Sequence, residues 1–209
     1  MNLEKSIIFS SELYLTEKKE WLDYLNNSCE KYIDQDFIKN NFGVSGHSDN
    51  LSGDINFKEF IIFICKTGID ILNTQGYNTN IYSLIVSDLW VQEFSKKGGG
   101  HHNSHIHPGN HISGFYFLKC SEKTSFPIFH DPRHVKNSLQ LIEKNLNNIT
   151  LASEKISMRV QPGTFMFFNS YLEHEFSVDH GLEPFRFIHF NLQAIPKQLI
   201  NNDIKRISS

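Results

Sequence analysis

From Asn80 onward the chain breaks into short apolar runs separated by turn residues, and this punctuation restricts what it can fold into. Residues 81–94, 111–119, 126–129, 156–160, 164–168, 173–178 and 185–195 are rich in β-branched and aromatic side chains. Between them stand Asp131-Pro132-Arg133, Pro162-Gly163 and Asp179-His180-Gly181, residues that reverse a chain cheaply. Many short strands at close spacing predict an antiparallel β-sandwich or barrel. Phe supplies 18 of the residues, enough to fill a sheet-rich core.

The first 80 residues carry a different period. In 16–39, Trp21, Leu22, Leu25, Tyr32 and Ile33 recur at helical spacing, with Thr16 as the N-cap. Residues 41–54 are rich in Asn, Ser and Gly and read as a loop. A second helix is expected over 56–73, where Phe57, Phe60, Ile61, Ile64, Ile69, Ile71 and Leu72 form a band wide enough to lie on a sheet. Residues 134–157 are polar with a weak helical pattern and read as an insertion or lid. The expectation is a mainly β fold with N-terminal helices: one domain, with helical support over 1–79, a barrel core over 80–197 and a tail over 198–209.

A chain of 209 residues with a formal charge of −3 is nearly balanced, which argues against general nucleic-acid or anionic-membrane binding. Cys29, Cys65 and Cys120 are isolated and form no CxxC, as expected of thiols in a reducing compartment. The first residues lack a basic start followed by a long apolar run, and the longest apolar stretch, 60–65, is too short to span a bilayer. These features predict a soluble cytoplasmic protein. Exposed edge strands would allow a homodimer.

Eleven histidines are many for this length, and five lie within 101–111. His105 and His107 are separated by one residue and followed by Pro108-Gly109, as if a strand ended at a site and turned away. Residues two apart on a strand point to one side. His174 follows the apolar run 164–168 and a short turn. Three imidazoles from two distant segments can cap one face of a divalent metal and leave other positions open. His101, His102 and His111 lack such a downstream partner and are read as loop residues.

Arg186 shares its strand face with Ile188, Phe190 and Leu192. A buried guanidinium needs an anion, and its fork fits a carboxylate. That anion is either a protein acid or a small ligand's carboxylate. The neighbouring motifs show no obvious acid on this face, which favours the ligand.

The ordered set of motifs resembles the iron(II)- and 2-oxoglutarate-dependent oxygenases, in particular a subfamily found in bacteria and phages. That subfamily shows a Trp-containing strand, a Gly-rich turn, H-x-H-P, S-G-x-Y-Y, F-x-D-P-R, a P-x-x-G segment leading to F-P-S and then H, and finally R-x-x-x-x-F-N. This chain has Trp90, Gly98 to Gly100, His105-Ile106-His107-Pro108, Ser113-Gly114-Phe115-Tyr116-Phe117 and Phe129-His130-Asp131-Pro132-Arg133. Pro162-Gly163, Phe168-Asn169-Ser170, His174, Arg186 and Phe190-Asn191 follow in the same order. The match runs over about residues 80–195.

The resemblance implies a double-stranded β-helix, the jelly-roll or cupin-like barrel. It implies iron(II) held by His105, His107 and His174 as catalytic ligands, and 2-oxoglutarate and O2 as cosubstrates. It places the far carboxylate of 2-oxoglutarate on Arg186, and Tyr116 is either a hydrogen-bond donor to the same molecule or an aromatic lining the barrel. The reaction implied is hydroxylation of a prime substrate with release of succinate and CO2. Two departures stand out. The broad superfamily has Asp or Glu where this chain has His107, so the dication stays uncompensated until a dianion arrives. Asn169 replaces the subfamily's Pro.

Two other readings fit parts of the pattern. A three-histidine cupin-type dioxygenase would need no 2-oxoglutarate, but the usual Glu is missing and Gly163 and His174 are too far apart for the second cupin motif. A non-enzymatic metal-binding jelly roll would close its site with a fourth ligand; no fourth His or Cys is evident beside the triad, although His111 or His189 could serve.

Overall fold

The computed structural model describes residues 2–39, 44–139 and 141–199. Eleven strands are seen among them: β1 (Glu4–Ile8), β2 (Ser11–Glu17), β3 (Ser45–His47), β4 (Tyr82–Phe94), β5 (His102–His105), β6 (Ile112–Lys119), β7 (Pro127–His130), β8 (Lys155–Ser157), β9 (Thr164–Asn169), β10 (His174–Phe176) and β11 (Phe185–Pro196). Two α-helices, α1 (Leu22–Lys39) and α2 (Lys58–Thr74), stand near the N-terminus.

The strands form two antiparallel sheets, a large one in the order β1-β2-β9-β6-β11-β4-β3 and a small one in the order β5-β10-β7-β8. The large sheet therefore has two covered faces. Its inner face packs Phe94, Phe115, Phe117, Met166, Phe168, Phe185 and Phe187 against Phe129 and Phe176 of the small sheet. Its outer face packs Leu89, Val91, Tyr116, Phe165, Phe167, Ile188 and Phe190 against Leu25, Cys29, Phe60 and Ile64 of the helices. Alternation along β6, β9 and β11 sends successive side chains into these two cores, which is why the strands are apolar almost without a break. Gly114 on β6 is where the layers come closest: a Cβ there would lie 2.3 Å from a Phe190 ring carbon and 2.4 Å from the Met166 carbonyl oxygen.

α2 buries Phe60, Ile64, Thr67, Gly68, Ile71 and Leu72, a helical stripe laid on the sheet. Before it, the Asp54 carboxylate accepts from the Asn56 amide. After it, Gly76 at φ +93° reverses the backbone, as a glycine readily does at a helix C-terminus.

The barrel and α2 match the sequence reading closely, but the N-terminus does not. Residues 4–17 form the β1–β2 hairpin, which extends the large sheet through β2–β9 pairing. Thr16 is therefore a strand residue paired with Phe165 and not a helix cap, and α1 begins at Leu22 after a 3-10 turn, Lys19–Trp21. The 41–54 loop contains the short strand β3, while residues 41–43 and the tail beyond residue 199 lie outside the described residues. The 134–157 insertion opens with a 3-10 helix, His134–Leu139, and returns through β8. Cys29, Cys65 and Cys120 are free thiols. No helix among the described residues is long and apolar enough to cross a membrane.

Candidate metal centre

β5 and β10 pair with His105 directly opposite His174. His107 lies just past the end of β5, and its amide donates to the Ser170 carbonyl (3.0 Å) in the turn after β9. This bond draws His107 back to the pair. One nitrogen from each of His105, His107 and His174 lies within 4.8 Å of the other two.

The backbone selects which nitrogen is offered. His105 Nδ1 lies 2.7 Å from the Asn103 carbonyl oxygen, and His174 Nδ1 lies 3.0 Å from that of Leu172. A carbonyl only accepts, so each Nδ1 carries the proton and each Nε2 presents a lone pair. This is the outer support that metal-ligating histidines ordinarily have. His174 Nε2 is buried without a hydrogen-bond partner. An unpartnered buried lone pair facing two other imidazoles fits a metal ion, which the three residues can hold.

Burial lowers the His174 pKa well below the ordinary histidine range, with His105 and His107 adding to it against the Leu172 hydrogen bond. Burial, then His105, brings His107 down to about 4. Both are held in the neutral form that binds metal. Phe115, Phe129 and Phe168 surround the His174 ring at 5.7, 6.0 and 4.8 Å, making a dry wall behind the cluster.

Two of the expected site residues are elsewhere. Arg186 faces α1 on the outer side of the large sheet. Its Nε donates to Glu93 Oε2 (2.6 Å) directly across on β4, and Nη1 lies 3.3 Å from Glu30 Oε2. The anion it needs is a protein carboxylate, and its reading as the cosubstrate's anchor is corrected. The subfamily motif sets four residues between its Arg and Phe-Asn, whereas this chain has three, Phe187-Ile188-His189. One residue fewer puts the guanidinium on the opposite face of a strand. Tyr116 also faces the helices, packs on Phe165 (4.3 Å) and donates to the Lys18 carbonyl oxygen (2.7 Å), so the donor role is corrected too.

His101 bonds the Gly99 carbonyl oxygen, and His111 accepts from the Ala194 amide (3.1 Å), in keeping with loop roles. His102 instead turns inward, bonds Gln92 (2.6 Å) and packs on Phe94 and Phe176. His189 was visible in the sequence only as a spare ligand. It is fully buried, with Nε2 3.1 Å from His107 Nε2 and its ring stacked 4.0 Å from Trp90. Asp131 accepts from Arg133 Nε and Nη2 (2.9 and 2.8 Å) and pairs with Lys136 (2.8 Å), whose ammonium also reaches the Ala152 and Ser153 carbonyls. This turn closes the insertion.

The family described as "Putative 2OG-Fe(II) oxygenase" matches residues 88–191, from β4 through the three histidines into β11. The chain belongs to the 2OG-Fe(II) oxygenases. It is accordingly an oxidoreductase using iron(II) and 2-oxoglutarate. No curated protein matches the sequence. Among solved structures, the epimerase SnoN of nogalamycin biosynthesis superposes with a TM-score of 0.59 at 10% identity, over 87% of this chain and 78% of its own. AviO1 from Streptomyces viridochromogenes Tue57 gives 0.60 at 9% identity, over 87% and 89%. A Pseudomonas putida prolyl-4-hydroxylase gives 0.57 at 9% identity, over 88% and 94%. At such identities these likenesses establish the shared jelly-roll fold.

Proposed function

We propose that this oxygenase is a hydroxylase whose iron(II) is held by His105, His107 and His174. The observation that carries the ligand assignment is the convergence of three imidazole nitrogens within 4.8 Å, two of them oriented by backbone carbonyls. Iron with 2-oxoglutarate and O2 supplies oxidation of a C–H bond, releasing succinate and CO2. The chain's own part is ligation, orientation and exclusion of water. β5 and β10 fix two imidazoles in register, the Ser170 carbonyl fixes the third, and the Phe wall keeps solvent from the back of the cluster. All three ligands are neutral, so the dication's charge is left for an anionic cosubstrate to compensate.

The test is metal content after chelation and reloading. His174→Ala and His105→Ala are expected to lose iron, with succinate formation lost alongside. Full iron occupancy in both variants would sink the ligand assignment. A second reading, a three-histidine dioxygenase without 2-oxoglutarate, is favoured by the all-histidine cluster and by the engagement of Arg186 with Glu93. It predicts oxygen uptake that does not depend on 2-oxoglutarate.

A further inference from the structure

With Arg186 on the outer face, no guanidinium among the described residues stands beside the triad for the far carboxylate of the cosubstrate. The inward positions nearby carry Trp90, Gln92 and Phe94 on β4, Ser113, Phe115 and Phe117 on β6, and Phe185, Phe187, His189 and Asn191 on β11. None of these is Arg or Lys. Phe185 and Phe187 pack on Phe94 and Phe176 and close that part of the barrel with apolar surface.

Unused hydrogen-bonding capacity is concentrated at one place on this face. Trp90 Nε1 and His189 Nδ1 are both buried without a partner. They belong to rings directly opposite each other on β4 and β11, stacked at 4.0 Å and 15°. His189 touches the triad through His107 Nε2. Asn191 Nδ2 lies 3.3 Å from His107 Nδ1, and donating there it leaves the His107 Nε2 proton for His189. A metal on His107 Nε2 takes that contact away and frees the second nitrogen of His189. Buried donors with nothing to donate to are costly and rare. Here two of them stand next to the metal ligands.

We propose that Trp90 and His189 hold the non-chelating carboxylate of 2-oxoglutarate through two neutral N–H donors, in place of an arginine. The assignment rests on the 2-oxoglutarate reading of the site. His189 stands beside the His107 ligand with a ring nitrogen free for the carboxylate, while Trp90 fixes the imidazole plane by stacking. An aromatic N–H pair recognises a carboxylate by direction and carries no net charge.

The experiment is an anaerobic titration of the iron(II)-loaded protein, read by the visible charge-transfer band of the keto-acid chelate. The probes are 2-oxoglutarate and pyruvate, which lacks the far carboxylate. Trp90→Phe and His189→Phe keep the ring stack and remove the donors. Each is expected to weaken 2-oxoglutarate binding about tenfold, the size of one hydrogen bond to a charged group, and to leave pyruvate binding as in the wild type. Arg186→Lys is expected to leave both unchanged. Equal weakening for both probes would show general damage to the site and overturn the proposal, as would unchanged 2-oxoglutarate binding in the two Phe variants. Loss confined to Arg186→Lys would return the anchor to the arginine. No band in the wild type with iron bound would instead fell the 2-oxoglutarate reading itself.

Discussion

Arg186 and His189 stand three residues apart on β11 and face opposite sides of the sheet, one engaged by the helix layer and one beside the metal cluster. The choice was not legible from the sequence, because the acid that pairs with Arg186 is set by strand register. Glu93 is the residue directly across β4, and Glu30 comes from a helix far away in sequence. The histidines were legible because H-x-H and a distant His need only local spacing to be noticed. Arg186 is 2% exposed at its side chain and Glu93 10%, so removing one partner strands a buried charge. Arg186→Ala is expected to destabilise the fold by about 3 kcal/mol, read as a lower urea midpoint at unchanged slope. A midpoint equal to the wild type would mean that Arg186 holds neither Glu93 on the sheet nor Glu30 on α1 to any net gain in stability.

At the scale of elements, the strands that alternate or run apolar were readable, and the ones that depend on a distant partner were not. β2 alternates weakly over Ser11–Glu17 and becomes a strand because β9 offers it an edge. Nothing within residues 1–20 announces that edge, and Thr16 before Trp21 looked like a cap for this reason. The close contact at Gly114 was visible only as one letter of a motif. Its reason is that β6, β9 and Phe190 leave no volume for a methyl group, with the Met166 carbonyl unable to yield as a side chain would. Gly114→Ala is expected to cost about 2 kcal/mol or more, as overpacking does, and to lower the thermal midpoint. The insertion is held differently. Burial would raise the Asp131 pKa, but the hydrogen bonds from Arg133 and Lys136 outweigh it and bring it down to about 2. A carboxylate depressed in the folded state contributes stability above its unfolded pKa and loses it as pH falls through the folded value. Stability from this turn should therefore fade between about pH 4 and pH 2. Asp131→Asn should flatten that part of the pH-stability curve, and an equally steep acid limb in the variant would assign it to other groups.

Over the whole molecule, the three histidines join segments that the backbone links only loosely. β5 and β10 meet in a short pairing with an irregular register, and His107 is outside both. A metal on the cluster would therefore tie the small sheet to the turn after β9, adding a constraint present only in the folded chain. Binding restricted to the folded state stabilises by mass action, about 2.7 kcal/mol at a free metal concentration a hundredfold above the dissociation constant. The protein loaded with iron(II) under nitrogen, or with a redox-inert divalent ion, should melt several degrees above the chelator-treated protein. The shift should grow with metal concentration in the wild type and vanish in His174→Ala, while Arg186→Lys keeps it. A shift that persists in His174→Ala would place the stabilising ion elsewhere on the molecule. No shift in the wild type, with metal shown to be bound, would mean that the cluster forms equally well in the unfolded chain, which residues 69 positions apart in sequence have no means to do.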